Sequence, residues 1–227
     1  MITHLFFDAG NTLVFPNFRL ISEKLASRGP KVSPEDLERG EQKARYQLDD
    51  PELIRTSNDH SRWTLYFETI FRFCGVHDGA IVKDVLAELQ AIHRVSNLWE
   101  IVPPDVPAAL EGLKPRFRLS VISNANGTVR EKLRRVGLLG YFDTVLDSHE
   151  EGIEKPDPRI FRAALERTGA RPEHSLYVGD MYHIDVAGAR AAGMEVFLLD
   201  PGELHGDKPV RRIPGLGALA SSIDAPG

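Results

Sequence analysis

The stretch His4-Leu5-Phe6-Phe7-Asp8-Ala9-Gly10-Asn11-Thr12-Leu13 decides the fold. A short apolar run delivers a single carboxylate, Asp8, into a turn of small and polar residues. A buried strand presents a nucleophile or a metal ligand in this way at its C-terminal edge. Two positions after Asp8, where a second carboxylate would make an acid/base partner, stands Gly10, which has no group to titrate.

The pattern recurs outward along the chain. Leu119 to Ile122 runs into Ser123-Asn124-Ala125-Asn126-Gly127, and Leu176 to Val178 runs into Gly179-Asp180. Thr144 to Leu146 and Glu195 to Leu199 are further strand candidates. Helical spacing fills the intervals at Val106 to Leu113, Thr128 to Val136, Pro158 to Arg167 and Ile184 to Ala192, and Asp157-Pro158 reads as an N-cap followed by a first-turn proline. Alternating strands and helices imply parallel βαβ units in a doubly wound α/β sheet. Ligands of such sheets bind beyond the carboxyl ends of the strands, where the polar clusters fall.

The stretch from Phe15 to Asn97 reads differently. Leu20-Ile21 with Leu25, then Leu37 to Leu48, then Trp63 to Phe73, then Ile81, Val85, Leu89 and Ile92 all keep helical spacing. Asp50-Pro51 and the Gly75 to Gly79 region break the stretch into roughly four helices, and Pro103-Pro104 marks the return to the alternating pattern. The expected organisation is a core of residues 1–15 and 98–227 with an all-α insert over 16–97.

Bulk properties narrow the class. The 227 residues, 42% hydrophobic and 27% charged, suit one large globular domain or a core carrying a smaller one. A formal net charge of -5 argues against a nucleic-acid or anionic-membrane partner, and Arg134-Arg135 and Arg211-Arg212 read as solvated helix or loop residues. Cys74 is the only cysteine, which excludes an internal disulfide and reads as a small core residue. No apolar segment approaches membrane-spanning length and no signal-peptide pattern opens the chain, so a cytoplasmic monomer or homodimer is expected.

Asp8, Ser123, Lys155 and the pair Asp180 and Asp185 fall at or beside strand ends in an order that suits phosphoryl transfer. A carboxylate nucleophile forms an aspartyl-phosphate and so splits one difficult displacement into two easier ones. Neighbouring carboxylates and a phosphate repel one another, and Mg2+, which prefers oxygen ligands, together with a lysine ammonium supplies the compensation. A serine hydroxyl and backbone amides then hold the phosphoryl oxygens.

These segments resemble the four motifs of the haloacid dehalogenase superfamily. Asp8-Ala9-Gly10-Asn11-Thr12-Leu13 is similar to the first, Ile122-Ser123-Asn124 to the second, Lys155-Pro156-Asp157-Pro158-Arg159-Ile160-Phe161 to the third, and Gly179-Asp180-Met181-Tyr182-His183-Ile184-Asp185 to the fourth. The helical insert sits where the family carries its C1 cap, so the resemblance implies a Rossmann-like core closed by a cap that selects the substrate. It implies Asp8 as nucleophile and metal ligand, Asp180 and the Gly10 carbonyl as further Mg2+ ligands, and Asp185 as a partner of Lys155 or of a metal-bound water. Ser123 and Asn124 would bind the phosphoryl group of a small phosphorylated substrate, and Lys155 would neutralise it. Within the insert, Arg19, Arg45, His60, Arg62, Trp63 and Tyr66 carry charge or rings toward a substrate, although Trp63 and Tyr66 sit at core spacing.

Gly10 is the departure. In the family's phosphatases the residue at this position is an aspartate that protonates the leaving alcohol and later activates water. Three readings follow: a Mg2+-dependent phosphatase that does without this aspartate or takes its proton from the cap, from His183 or from water; a phospho-ligand-binding or regulatory protein with little turnover; and a metal-free 2-haloacid dehalogenase, whose halide leaves without a proton. The dehalogenase branch carries a tyrosine where Gly10 stands and needs no paired acids at the fourth motif, so the first reading leads. A phosphonatase-like variant would need a cap lysine for a Schiff base, and Lys24, Lys43 and Lys83 read as solvated helix residues.

Overall fold

The computed structural model describes residues 1–225, and of residues 59 and 60 the backbone alone. It divides into two compact units, Met1–Phe15 with the chain from Ile101 onward, and Pro16–Glu100. Its strands are β1 (His4–Phe7), β2 (Phe15–Pro16), β3 (Trp99–Ile101), β4 (Arg118–Ser123), β5 (Thr144–Asp147), β6 (Ser175–Gly179), β7 (Glu195–Leu199) and β8 (Arg211–Ile213). Six of them form one sheet in the order β5-β4-β1-β6-β7-β8, and every pairing in it is parallel.

β1 is central because its residues can be buried on both faces: Leu5, Phe6 and Phe7 are fully enclosed. Its register sets Phe7 opposite Val121 on one side and Val178 on the other. Asp8, Ser123 and Asp180 therefore leave the sheet along one edge. Phe6, Ile122, Tyr177 and Leu198 pack on one face against Ile160, Phe161, Ala164 and Leu165 of the helix Pro158–Thr168. That helix starts as the sequence implies, since Asp157 accepts a hydrogen bond from the Arg159 amide and Pro158 opens the first turn.

Close approach dictates one glycine on this face. A Cβ at Gly188 would lie 2.5 Å from Phe161 Cε2 and 2.8 Å from the Pro156 carbonyl oxygen. The helical segment ahead of it differs from the expected regular helix over Ile184 to Ala192. It opens as a wider π-type turn over Tyr182–Val186 and tightens to an α-helix only at Ala187–Ala191.

The second unit holds five helices among its described residues: Phe18–Ala26, Pro34–Leu48, Pro51–Thr56, Asp59–Phe73 and Gly79–Ser96. Ile21, Leu25, Leu37, Phe67, Phe71, Val85 and Leu89 meet in its core, with Trp63 and Tyr66 packed against it. β2 and β3, through which the chain passes between the units, pair with each other.

Three local readings of the sequence are corrected. Asp50-Pro51 is a helix start and not a simple break: Asp50 accepts from the Leu53 amide and caps Pro51–Thr56. Arg211-Arg212 lies in the edge strand β8, with both arginines exposed and Ile213 buried. Charged residues blunt an open sheet edge, which is why a strand here looks like a solvated run. Cys74 is only half-buried, at the end of the Asp59–Phe73 helix, where its Sγ lies 3.4 Å from the Asp36 carbonyl oxygen.

Gly188→Ala is expected to destabilise the protein by about 2 kcal/mol, within the range for overpacking a filled core. Gly112→Ala, in the helix Asp105–Leu113 with nothing within 4 Å of the added carbon, is expected to be neutral or stabilising. Urea unfolding of the two variants checks the contrast.

Candidate active site

The turn after β1 is built by its own backbone. The Asn11 amide donates to the Val14 carbonyl at 2.8 Å, and the Leu13 and Val14 amides donate back to Ala9 at 2.9 and 3.0 Å. Asn11 takes a φ of 53°, a left-handed conformation that asparagine tolerates better than most residues. Gly10 bridges to Val14 across this turn. Asp8 is held at the head of it, with its own amide donating to the Val178 carbonyl at 2.9 Å.

Lys155, 147 residues further along the chain, reaches Asp8. Its side chain is buried, and Nζ donates to Asp8 Oδ1 at 2.7 Å, to Asp185 Oδ1 at 2.7 Å and to the Tyr177 hydroxyl at 2.9 Å. An ammonium has three N–H groups, so each is used. Burial alone would push this lysine down, but the Asp185 and Asp8 carboxylates outweigh it and raise it above the ordinary lysine range. Burial pushes the Asp8 carboxyl up, Lys155 opposes that, and Asp185 adds to it.

Asp185 is the most constrained of the acids. Oδ1 accepts from Lys155 and lies 2.9 Å from the Tyr177 hydroxyl, while Oδ2 accepts the backbone amides of Asp180 at 3.1 Å and Met181 at 3.0 Å. The π-type turn presses this side chain onto β6: a Cβ at position 179 would lie 2.4 Å from Asp185 Cγ, so only Gly179 fits.

Asn124 has a structural bond that its expected contact with the phosphoryl group does not include. Its side-chain amide clamps the backbone of Lys155, donating to the carbonyl at 2.9 Å and accepting the amide proton at 2.8 Å. Ser123 is buried at the end of β4, its hydroxyl 3.4 Å from the Asn124 carbonyl, at the outer limit of a hydrogen bond. The loop after it is braced by Ser148, whose Oγ accepts from the Ala125 amide at 3.0 Å, and by Asp147, which accepts from the Val129 amide at 3.2 Å.

Asp8, Asp180 and Asp185 each offer a carboxylate oxygen, and the three lie within 4.8 Å of one another. The donors are all hard oxygens, which fits Mg2+. Three carboxylates gather beside one ammonium in a buried space, where a divalent cation would offset their repulsion. Both oxygens of Asp185 accept hydrogen bonds, which ties it to Lys155 and to the backbone amides of Asp180 and Met181.

The structure thus brings together Asp8, Lys155, Asp180 and Asp185, with Ser123 on the neighbouring strand end. Tyr177 went unread in the sequence, and its signal is a hydroxyl-bearing ring inside an otherwise aliphatic strand run. Arg19, Arg45, Arg62, Trp63 and Tyr66 belong to the other unit, and the side chain of His60 lies outside the described residues.

A parallel sheet with a buried carboxylate–ammonium cluster at its carboxyl edge places the protein among the Rossmann-like α/β enzymes. A family model for haloacid dehalogenase-like hydrolases matches residues 2–193. The chain is 33% identical over 172 residues to the Bos taurus protein "Haloacid dehalogenase-like hydrolase domain-containing protein 3", covering 73% of this chain and 68% of that one. It is 31% identical over 211 residues to a ribulose-1,5-bisphosphate 5-phosphatase of Halopiger xanaduensis, covering 89% and 87%. The solved structure of a 2-haloacid dehalogenase from Pseudomonas syringae pv. tomato superposes with a TM-score of 0.60 at 26% identity, covering 99% of each chain. The protein belongs to the haloacid dehalogenase-like hydrolases and is a hydrolase. Among the described residues no helix is long and apolar enough to cross a membrane.

Lys155→Met leaves Asp8 and Asp185 facing each other without the ammonium, and is expected to cost about 3–5 kcal/mol of stability at neutral pH in EDTA. A carboxyl whose folded-state pKa is raised stabilises the fold below its unfolded value and loses that contribution as pH rises through the folded value. Asp8 is such a group, and losing Lys155, which holds it down, raises it further in the variant than in the wild type, so the deficit should shrink on acidification. Urea unfolding at about pH 7 and about pH 5 measures both effects.

Proposed function

We propose that the protein is a Mg2+-dependent phosphatase of a small phosphorylated metabolite, working through an aspartyl-phosphate at Asp8. The observation that carries this reading is the buried Lys155 ammonium set between Asp8 and Asp185, with Asp180 beside them. A halide displacement calls for a carboxylate nucleophile but has no use for three clustered acids. A phosphoryl group with its cation does. The sequence likeness to a ribulose-bisphosphate phosphatase supports the same choice.

In this reading an Asp8 carboxylate oxygen attacks phosphorus and the ester oxygen departs. Water then attacks the acyl phosphate, returning inorganic phosphate and the free Asp8 carboxylate. Lys155 offsets the charge of Asp8 and of the transferring group, and Ser123 orients a phosphoryl oxygen. Asn124 and Asp185 keep Lys155 in place. Asp8, Asp180 and the Gly10 carbonyl would hold a Mg2+, which would supply positive charge to offset that of the phosphoryl group. The Pro16–Glu100 unit serves as the cap that selects the substrate and keeps out water.

Gly10 brings no acid to the leaving oxygen, and general acid catalysis is worth about 10² to 10⁴-fold, roughly 3–5 kcal/mol of barrier. Turnover should therefore be confined to substrates that leave readily, such as acyl phosphates and aryl esters, with water as proton donor. Two measurements test the proposal. Phosphate release from a panel of phosphate esters and acyl phosphates should require Mg2+, vanish in EDTA and vanish in Asp8→Asn. Halide release from 2-haloacids in EDTA would make the protein a dehalogenase instead, and capture of beryllium fluoride at Asp8 without hydrolysis would make it a binding protein.

The second measurement concerns the proton. Catalytic efficiency should fall steeply as leaving-group pKa rises, and Gly10→Asp should raise turnover of alkyl phosphates by about 10 to 100-fold. Efficient hydrolysis of alkyl phosphates by the wild type would show that another group donates the proton.

A further inference from the structure

The buried hydroxyl of Tyr177 is not used by the chemistry above, yet it touches the group on which that chemistry depends. Tyr177 is fully enclosed on β6, its ring packed edge-on against Phe161 at 5.1 Å between centroids. Its hydroxyl lies 2.9 Å from Lys155 Nζ, 2.9 Å from Asp185 Oδ1 and 3.2 Å from the Ile122 carbonyl oxygen. A phenol has one proton. The proton goes to Asp185 or to the Ile122 carbonyl, both of which only accept, and the lone pairs face an ammonium that only donates. Burial and the neighbouring Asp185 and Asp8 carboxylates hold this phenol well above its usual range, which keeps it a neutral acceptor.

We infer that Tyr177 is a positioning residue that fixes the rotation of the Lys155 ammonium and so aims its remaining N–H at Asp8. A lysine stem has free torsions, and one partner does not define where three N–H groups point. Here Asp185 takes one N–H and Tyr177 a second, so the third falls on Asp8 Oδ1. The two supports touch each other, the Tyr177 hydroxyl lying 2.9 Å from Asp185 Oδ1, and each has a further anchor of its own. Asp185 is held by the Asp180 and Met181 amides, and Tyr177 by the Ile122 carbonyl on β4 and by Phe161. With the hydroxyl gone, the second N–H has no acceptor in a space closed to water. The ammonium then turns to share Asp8 and Asp185, and its aim is lost.

This inference rests on the proposed roles of Asp8 and Lys155, and the experiment separates the two. Steady-state kinetics on para-nitrophenyl phosphate with Mg2+ would compare wild type, Tyr177→Phe, Asp185→Asn and the double variant. Tyr177→Phe is expected to lower kcat roughly tenfold, the lower end of what removing a supporting hydrogen bond costs, with KM within about twofold. The double variant is expected to lose less than the product of the single losses, because both residues hold one ammonium. A kcat within twofold of wild type or losses that multiply overturns the inference; a tyrosine that only supported Asp185 would also couple to it, so the position of the lysine decides between them. If Tyr177→Phe does not fold, Tyr177→Met, which fills much of the same space without the hydroxyl, takes its place with the same expectations. A crystal structure of the folded variant gives the readout independent of turnover: Lys155 Nζ displaced from Asp8 supports positioning, and an unmoved contact overturns it. Wild-type protein inert toward every phosphate ester would defeat the proposed function alone, and the crystal structure would still decide the role of Tyr177.

Discussion

The placement of one positive charge governs this molecule. Lys155 is buried with its ammonium between two carboxylates, and an ion pair so enclosed is weak evidence for stability, since desolvation consumes most of the attraction. Well-packed apolar residues would serve the fold as well. An ammonium in that position opposes the burial that pushes the Asp8 carboxyl up. Beside it, three carboxylate oxygens within 4.8 Å of one another make a donor set that fits a divalent cation.

The fold's contribution is to bring these groups together from distant parts of the chain. Asp8, Ser123 and Asp180 arrive on three adjacent strands of a parallel sheet, which end on the same side because parallel strands must. Lys155 arrives on a loop that Asn124 ties down through the backbone, and Asp185 arrives on a π-type turn that the missing Cβ of Gly179 allows to lie against β6. The extra width of that turn carries Asp185 far enough back to face the lysine while leaving Asp180 at the strand end.

Elements whose burial matches their chemistry could be read from the sequence. β1 and β6 carry unbroken apolar runs and β4 one interrupted only by the buried Ser120, because both faces are covered, and their polar followers mark the edge where the site forms. Elements that obey another rule were hidden. β8 is a strand of two exposed arginines and one buried isoleucine, too short for a period to show. Pro51 ends one helix by starting the next, and a proline carries both meanings in sequence. Asn124 and Tyr177 were hidden for a different reason. Their partners lie 31 and 22 residues away, and nothing local says that a side chain bonds a backbone or a buried ammonium.

Gly10 shows what can be lost from such a site without dismantling it. The turn that bears it is closed by backbone hydrogen bonds from Asn11, Leu13 and Val14, none of which needs a side chain at position 10. The bonds that tie Lys155 to Asp8, Asp185 and Tyr177 are likewise made without a side chain at position 10. In the proposed reaction, charge stabilisation and proton supply would then be carried by separate pieces of the structure. A site with no acid at position 10 would keep its electrostatic part, and that part would lower the barrier most for substrates whose leaving oxygen readily bears charge.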